Sequence, residues 1–150
     1  YVTMDKIIDD MERQIRKHKT RLEKRLKKDA FADMGVYDVA VDLRNGSPTF
    51  GKYYGVILDS EKQNMFYIPE GFAHGFCVLT ETATFAYKCT DFYHPEDEGG
   101  LMWNDAVVAI DWESIMPGIT EKVNLSEKDK KHEPFNFDKK YFDLNAKWIG

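Results

Sequence analysis

From Gly35 onward the chain breaks into short runs of β-branched and aromatic residues divided by turn signals: VYDVAVDL (36–43), NGSP (45–48), KYYGVIL (52–58), NMFYI (64–68), HGFCVL (74–79) and TFAYKC (84–89). Runs of this length, recurring at intervals of about ten residues, suit an antiparallel sandwich or barrel and leave no room for a helical bundle. Every such strand must bury a face. With 43% hydrophobic and 14% aromatic residues in a chain of 150, there is enough apolar material for one core. The tail beyond about residue 113 carries Pro117 and Pro134 among polar loops, and one short helical turn is expected near SEKDKK.

Upstream the texture is different. Between Thr3 and Lys28 there is no Gly or Pro, and Met4, Ile7, Ile8, Met11, Ile15, Leu22 and Leu26 fall at the spacing of one helical stripe. Thr3 suits an N-cap and Asp5 the positive end of the helix dipole. A helix over this stretch would run roughly 39 Å. Residues 1–30 hold ten Lys or Arg against six acids, whereas the rest of the chain holds 11 of the 21 bases and 20 of the 26 acids. The organisation read from this is a basic amphipathic helix over 1–34 and a β domain over 35–150.

No run of 18 apolar residues occurs, and the N-terminus is too charged for a secretory signal, so a cytoplasmic chain without a membrane contact is expected. Cys77 and Cys89 lie in strand-like runs without metal-type spacing and read as reduced packing residues.

Residues 68–76, IPEGFAHGF, interrupt the strand pattern with one Pro and two Gly. Pro69 ends ladder pairing, Gly71 permits a turn, and the chain re-enters a sheet at His74. This P-x-G-x-x-H pattern resembles a motif of cupins, jelly rolls that hold small molecules inside the barrel. Metal-binding cupins also carry a His-x-His pair. None is present, so no metal and no cofactor are expected.

The longer segments are more specific. VYDVAVDLRNGSPTFGKYYGVIL, IPEGFAHGFCVLTETATFAYKCTDFYHPEDEGGLMWND, IDW and LSEKD together resemble the dTDP-4-dehydrorhamnose 3,5-epimerase family, over about residues 35–136. The resemblance implies a cupin jelly roll, truncated here at its N-terminal strands. It also implies an isomerase acting on a dTDP-sugar substrate in dTDP-rhamnose biosynthesis, and a homodimer. By position, Tyr87 matches the family's proton donor, and Asp129 the acid that orients the catalytic histidine. Tyr93 matches the ring that stacks on thymine, and His74, Glu98 and Lys128 match nucleotide-sugar contacts. If 74–80 and 83–89 form a hairpin with an even-numbered loop, His74, Phe76, Phe85 and Tyr87 share one face; an odd loop separates them.

The family's catalytic base is a His within an LRGLHFQ motif, and no LRGLH occurs in these 150 residues. Impaired turnover is therefore expected, with a non-catalytic thymidine-nucleotide-binding cupin as the alternative. MDKIIDDMERQIRKHKTRLEKRL resembles a helix of the ribosome hibernation-promoting factors, which raises ribosome or RNA contact as a second alternative. Bland readings compete at each position. Glu96 to Glu98 read equally as a solvated acidic loop, Lys128 and Asp129 as a solvated face, and His94 and His132 as surface residues.

Overall fold

The computed structural model describes residues 35–145; the expected helix of 1–34 lies outside them. Within that span the chain is mainly β. Strand β1 (Gly35–Asp42) runs up the middle of a three-stranded antiparallel sheet, between β3 (Tyr53–Asp59) and β4 (Phe72–Val78), in the order β3-β1-β4. A two-residue strand β2 (Arg44–Asn45) pairs in parallel with β5 (Phe142–Asp143) and ties the tail back to the end of β1. Two single-turn helices, α1 (Trp112–Ile115) and α2 (Ile119–Lys122), lie between. Asp111 caps α1 by accepting from the Ser114 amide at 3.1 Å. Short 3-10 turns form at Pro95–Asp97 and Asp129–Lys131, the latter at the expected SEKDKK.

Alternation along β1 decides the layering. Tyr37, Val39 and Val41 point to one face and pack, with Leu43, on Val108, Trp112, Ile119 and Phe135, while Ala73, Cys77 and Leu79 join from the β4 side. Tyr37 meets Trp112 edge-on at 5.6 Å between ring centroids, and the Trp112 indole N–H donates to the Trp103 carbonyl at 2.7 Å. Asp105 fastens the tail beneath this core. Its carboxylate accepts from the Val107 and Val108 amides and, across 30 residues, from the Phe135 amide, all at 2.8 Å. The other face of β1 holds Asp38, Ala40 and Asp42, which are buried; Arg44, Ser47 and Thr49 reach over Asp42, and His74 reaches over Asp38.

Three expectations need correction. NMFYI (64–68) is irregular, as is TFAYKC (84–89), and the hairpin expected between 74–80 and 83–89 does not form. Both runs have strand composition, but neither enters a ladder: β4 pairs through one edge with β1, in register from Val36 opposite Val78 to Asp42 opposite Phe72, and forms the edge of the β3-β1-β4 sheet. Cys77 packs as expected, with Sγ 3.9 Å from the Met116 sulfur, but Cys89 is exposed because its run is not a strand. Among the described residues no helix is long and apolar enough to cross a membrane.

Candidate functional site

Gly71 sets the entry to the site. It sits at φ +83°, and a Cβ there would fall 2.6 Å from Cγ of Arg44, so the turn read from Pro69 and Gly71 is both left-handed and tightly covered. The covering guanidinium is itself fixed: Arg44 pairs with Asp42 at 2.7 Å and lies 4.5 Å over the Phe72 ring. The Leu43 amide also donates to the Gly71 carbonyl at 3.0 Å. β4 therefore starts in a defined register, with Ala73 and Cys77 toward the core and His74 and Phe76 on the opposite face.

On that face His74 stands directly opposite Ala40 of β1, and its ring reaches diagonally to Asp38. Nε2 of His74 lies 2.5 Å from Oδ1 of Asp38, a carboxylate whose residue is only 3% exposed. An ionised carboxylate only accepts, so Nε2 carries the proton and Nδ1 is the nitrogen left over.

Rings continue from His74 in one row. Phe85 stacks on His74 at 5.9 Å and on Phe76 at 4.6 Å, and Tyr87 follows Phe85 at 6.0 Å. The hairpin ladder is missing, yet the face-sharing expected from an even loop is what the rings adopt. A long bond of 3.4 Å from the Thr90 hydroxyl to Glu70 ties this irregular segment to the turn before β4. Tyr87 itself is 73% exposed, an open phenol at the end of the row.

A second group forms around Lys128. Its ammonium bonds to Glu98 and, at 3.4 Å, to the Tyr93 hydroxyl, joining residues at least 30 positions apart in the sequence. The Lys128 hydrogen bond, with a second from Tyr93, holds the Glu98 carboxyl below its usual range, and the same partners raise the Lys128 ammonium. The site expected from resemblance thus divides into His74 with Tyr87 and Tyr93 with Glu98 and Lys128. Among the described residues no hydrogen bond or ring contact joins Tyr87 to the second group.

Asp129 stands next to Lys128 but turns to other partners. It accepts from the Ser126 hydroxyl at 2.7 Å and lies 3.4 Å from Nε2 of His132. His132, expected at the surface, is half-buried against Gly100, where any Cβ would run into the imidazole. His94 is exposed, and with Glu96 and Asp97 brings three ligand-type atoms within 4.8 Å of one another on an open 3-10 turn, apart from His74. Phe85 falls beside His74 and Tyr87 as an even loop would place it, whereas Asp38 and His132 are neighbours that sequence reasoning did not bring to these residues. Asp38 alone left a trace in the sequence, an acid in the middle of the most apolar strand.

Residues 30–136 match the family model described as dTDP-4-dehydrorhamnose 3,5-epimerase. The chain is 50% identical over 100 residues to the dTDP-4-dehydrorhamnose 3,5-epimerase of Pseudomonas aeruginosa, which covers 67% of this chain and 52% of that protein. It is 48% identical over 96 residues to the Escherichia coli enzyme of the same name, covering 64% of this chain and 49% of that one. It also resembles the crystal structure of a dTDP-6-deoxy-D-glucose-3,5-epimerase from Legionella pneumophila in complex with dTDP-4-keto-L-rhamnose. The TM-score there is 0.67 and the identity 48%, over 75% of this chain and 58% of that one. The chain thus spans about half the length of the relatives it matches. The motifs, the central sheet and these likenesses agree: the chain belongs to the dTDP-4-dehydrorhamnose 3,5-epimerase family.

Proposed function

We propose that this chain carries the nucleotide-sugar site of a dTDP-4-dehydrorhamnose 3,5-epimerase, built on a cupin jelly roll whose described part is the β3-β1-β4 sheet and its covering loops. The observation that carries the reading is the convergence of Tyr93 and Glu98, from one motif, with Lys128 from another at least 30 residues away, all three matched to nucleotide-sugar contacts. An exposed phenol ring offers thymine a stacking surface, and an ammonium already turned toward the same spot offers the diphosphate a cation. In support, the Legionella pneumophila relative was solved with a dTDP-sugar bound.

Epimerisation beside a C4 ketone takes three acts: removal of an α-proton, stabilisation of the enolate oxygen, and return of a proton from the other face. Tyr87 suits the third, because a phenol is neutral near pH 7 and its exposed hydroxyl can donate to a carbanion held over the row of rings. His74, anchored by Asp38, suits contact with a sugar oxygen. Asp129, matched to the acid that orients the family's catalytic histidine, has no LRGLH histidine to orient among these 150 residues; its neighbour His132 lies 3.4 Å away. The family's LRGLH base is not among these 150 residues, so the chain by itself binds better than it turns over. A homodimer and a cytoplasmic setting, both implied by the family, belong to the same proposal; light scattering giving the mass of a single copy would count against the dimer.

Calorimetric titration with dTDP tests the reading. Saturable binding is expected, weakened about tenfold or more in Tyr93→Ala, since stacking on a base contributes roughly 1–3 kcal/mol. Unchanged affinity in that variant would remove Tyr93 from the site, and no binding by the unsubstituted chain would remove the proposal.

A further inference from the structure

We infer that Asp38 is a positioning residue of the site, holding His74 in one orientation and one tautomer so that Nδ1 is the nitrogen offered to the sugar; this rests on the reading of His74 as a sugar contact. Three observations meet here. Asp38 is 3% exposed although it is an acid, on the central strand with a neighbour on each side. A carboxylate so placed needs a partner, because burying an unpaired one is far costlier than leaving it in water. Among the described residues, the side chain that meets it is His74, through Nε2 at 2.5 Å.

The converse also holds. His74 lies on the open face of β4, where an unanchored imidazole would sample several rotamers and both neutral tautomers. The bond to Asp38 removes that freedom from one edge, and the Phe85 ring stacked at 5.9 Å restricts it from one side. With the Nε2 proton committed to Asp38, neutral His74 meets a ligand through Nδ1 as an acceptor, suited to a sugar hydroxyl that donates. Asp38 touches neither ligand nor reacting carbon in this arrangement. It acts through His74, as a carboxylate behind a metal-bound or catalytic imidazole does.

The test uses the full chain with labelled histidine, followed by nitrogen NMR above about pH 8, where an ordinary imidazole is neutral. His74 is expected to show a protonated Nε2 and a bare Nδ1. Asp38→Asn, whose amide can donate as well as accept, is expected to mix or invert that pattern. The same variant should bind dTDP-glucose about tenfold more weakly while keeping its affinity for dTDP, because the nucleotide is held elsewhere by Tyr93 and Lys128. A loss of dTDP and dTDP-glucose affinity in equal proportion would indicate a structural role only and overturn the proposal, as would an unchanged tautomer. If Asp38→Asn does not fold, the unsubstituted chain still decides: a proton found on Nδ1 of His74 overturns it. A chain with the expected tautomer that binds neither probe overturns the functional reading, and the sugar contact with it, while the Asp38–His74 pair stands.

Discussion

Asp42 accepts five hydrogen bonds: three from the Arg44 backbone and guanidinium, one each from the hydroxyls of Ser47 and Thr49. Burial alone would raise its carboxyl, and these bonds outweigh it, so the folded carboxyl sits below its usual range. The sign follows. A depressed folded value means the contribution to stability is complete above the unfolded value, near pH 4, and is lost as pH falls through the folded one. Asp42→Asn is therefore expected to cost on the order of 3 kcal/mol at neutral pH, and denaturant melts should show the gap from the unsubstituted chain narrowing below about pH 4. A gap that stays constant down to pH 2 would contradict this. At this scale the sequence was hardest to read. Asp38 and Asp42 alternate with Val39 and Val41 as solvated residues do on a half-exposed strand, and only the side chains folded over them, His74 on Asp38 and Arg44, Ser47 and Thr49 on Asp42, reveal that the polar face is covered.

Among the elements, those with strong alternation and a partner were legible. VYDVAVDL and KYYGVIL became β1 and β3, and IPEGF became the turn that launches β4. NMFYI and TFAYKC have the composition of strands, but a ladder is a property of two segments, and composition names only one. Whether His74 and Tyr87 share a face was open in the sequence, because loop parity decides it and no local pattern fixes that parity; the row of rings through Phe85 brings them together. Sheet packing also explains Gly55 of β3, where a Cβ would run into the Tyr37 hydroxyl, part of a ring already held by Trp112. Gly55→Ala should overpack this contact and destabilise the chain by about 1–3 kcal/mol in thermal or denaturant melts. A Tm equal to that of the unsubstituted chain would mean Tyr37 swings aside freely.

For the molecule as a whole, the sequence told more about chemistry than about assembly. Family motifs were readable because residue types at Tyr87, Tyr93, Glu98 and Lys128 carry their chemistry with them; the division of those residues into two groups depends on loop paths that no local pattern encodes. With no LRGLH histidine among its residues, the chain alone should incorporate solvent deuterium at C3 and C5 of a dTDP-4-keto-6-deoxy sugar at least about a hundredfold more slowly than an epimerase that has its base. Exchange at an undiminished rate would require another base in this chain. The central claim is that the Tyr93–Glu98–Lys128 group and the His74–Tyr87 row are the nucleotide end and the sugar end of one site. Chemical-shift mapping on adding first dTDP and then dTDP-glucose tests it most directly. On this assignment dTDP moves Tyr93, Glu98 and Lys128, and the sugar adds His74 and Tyr87; shifts confined to one group with both ligands would contradict it.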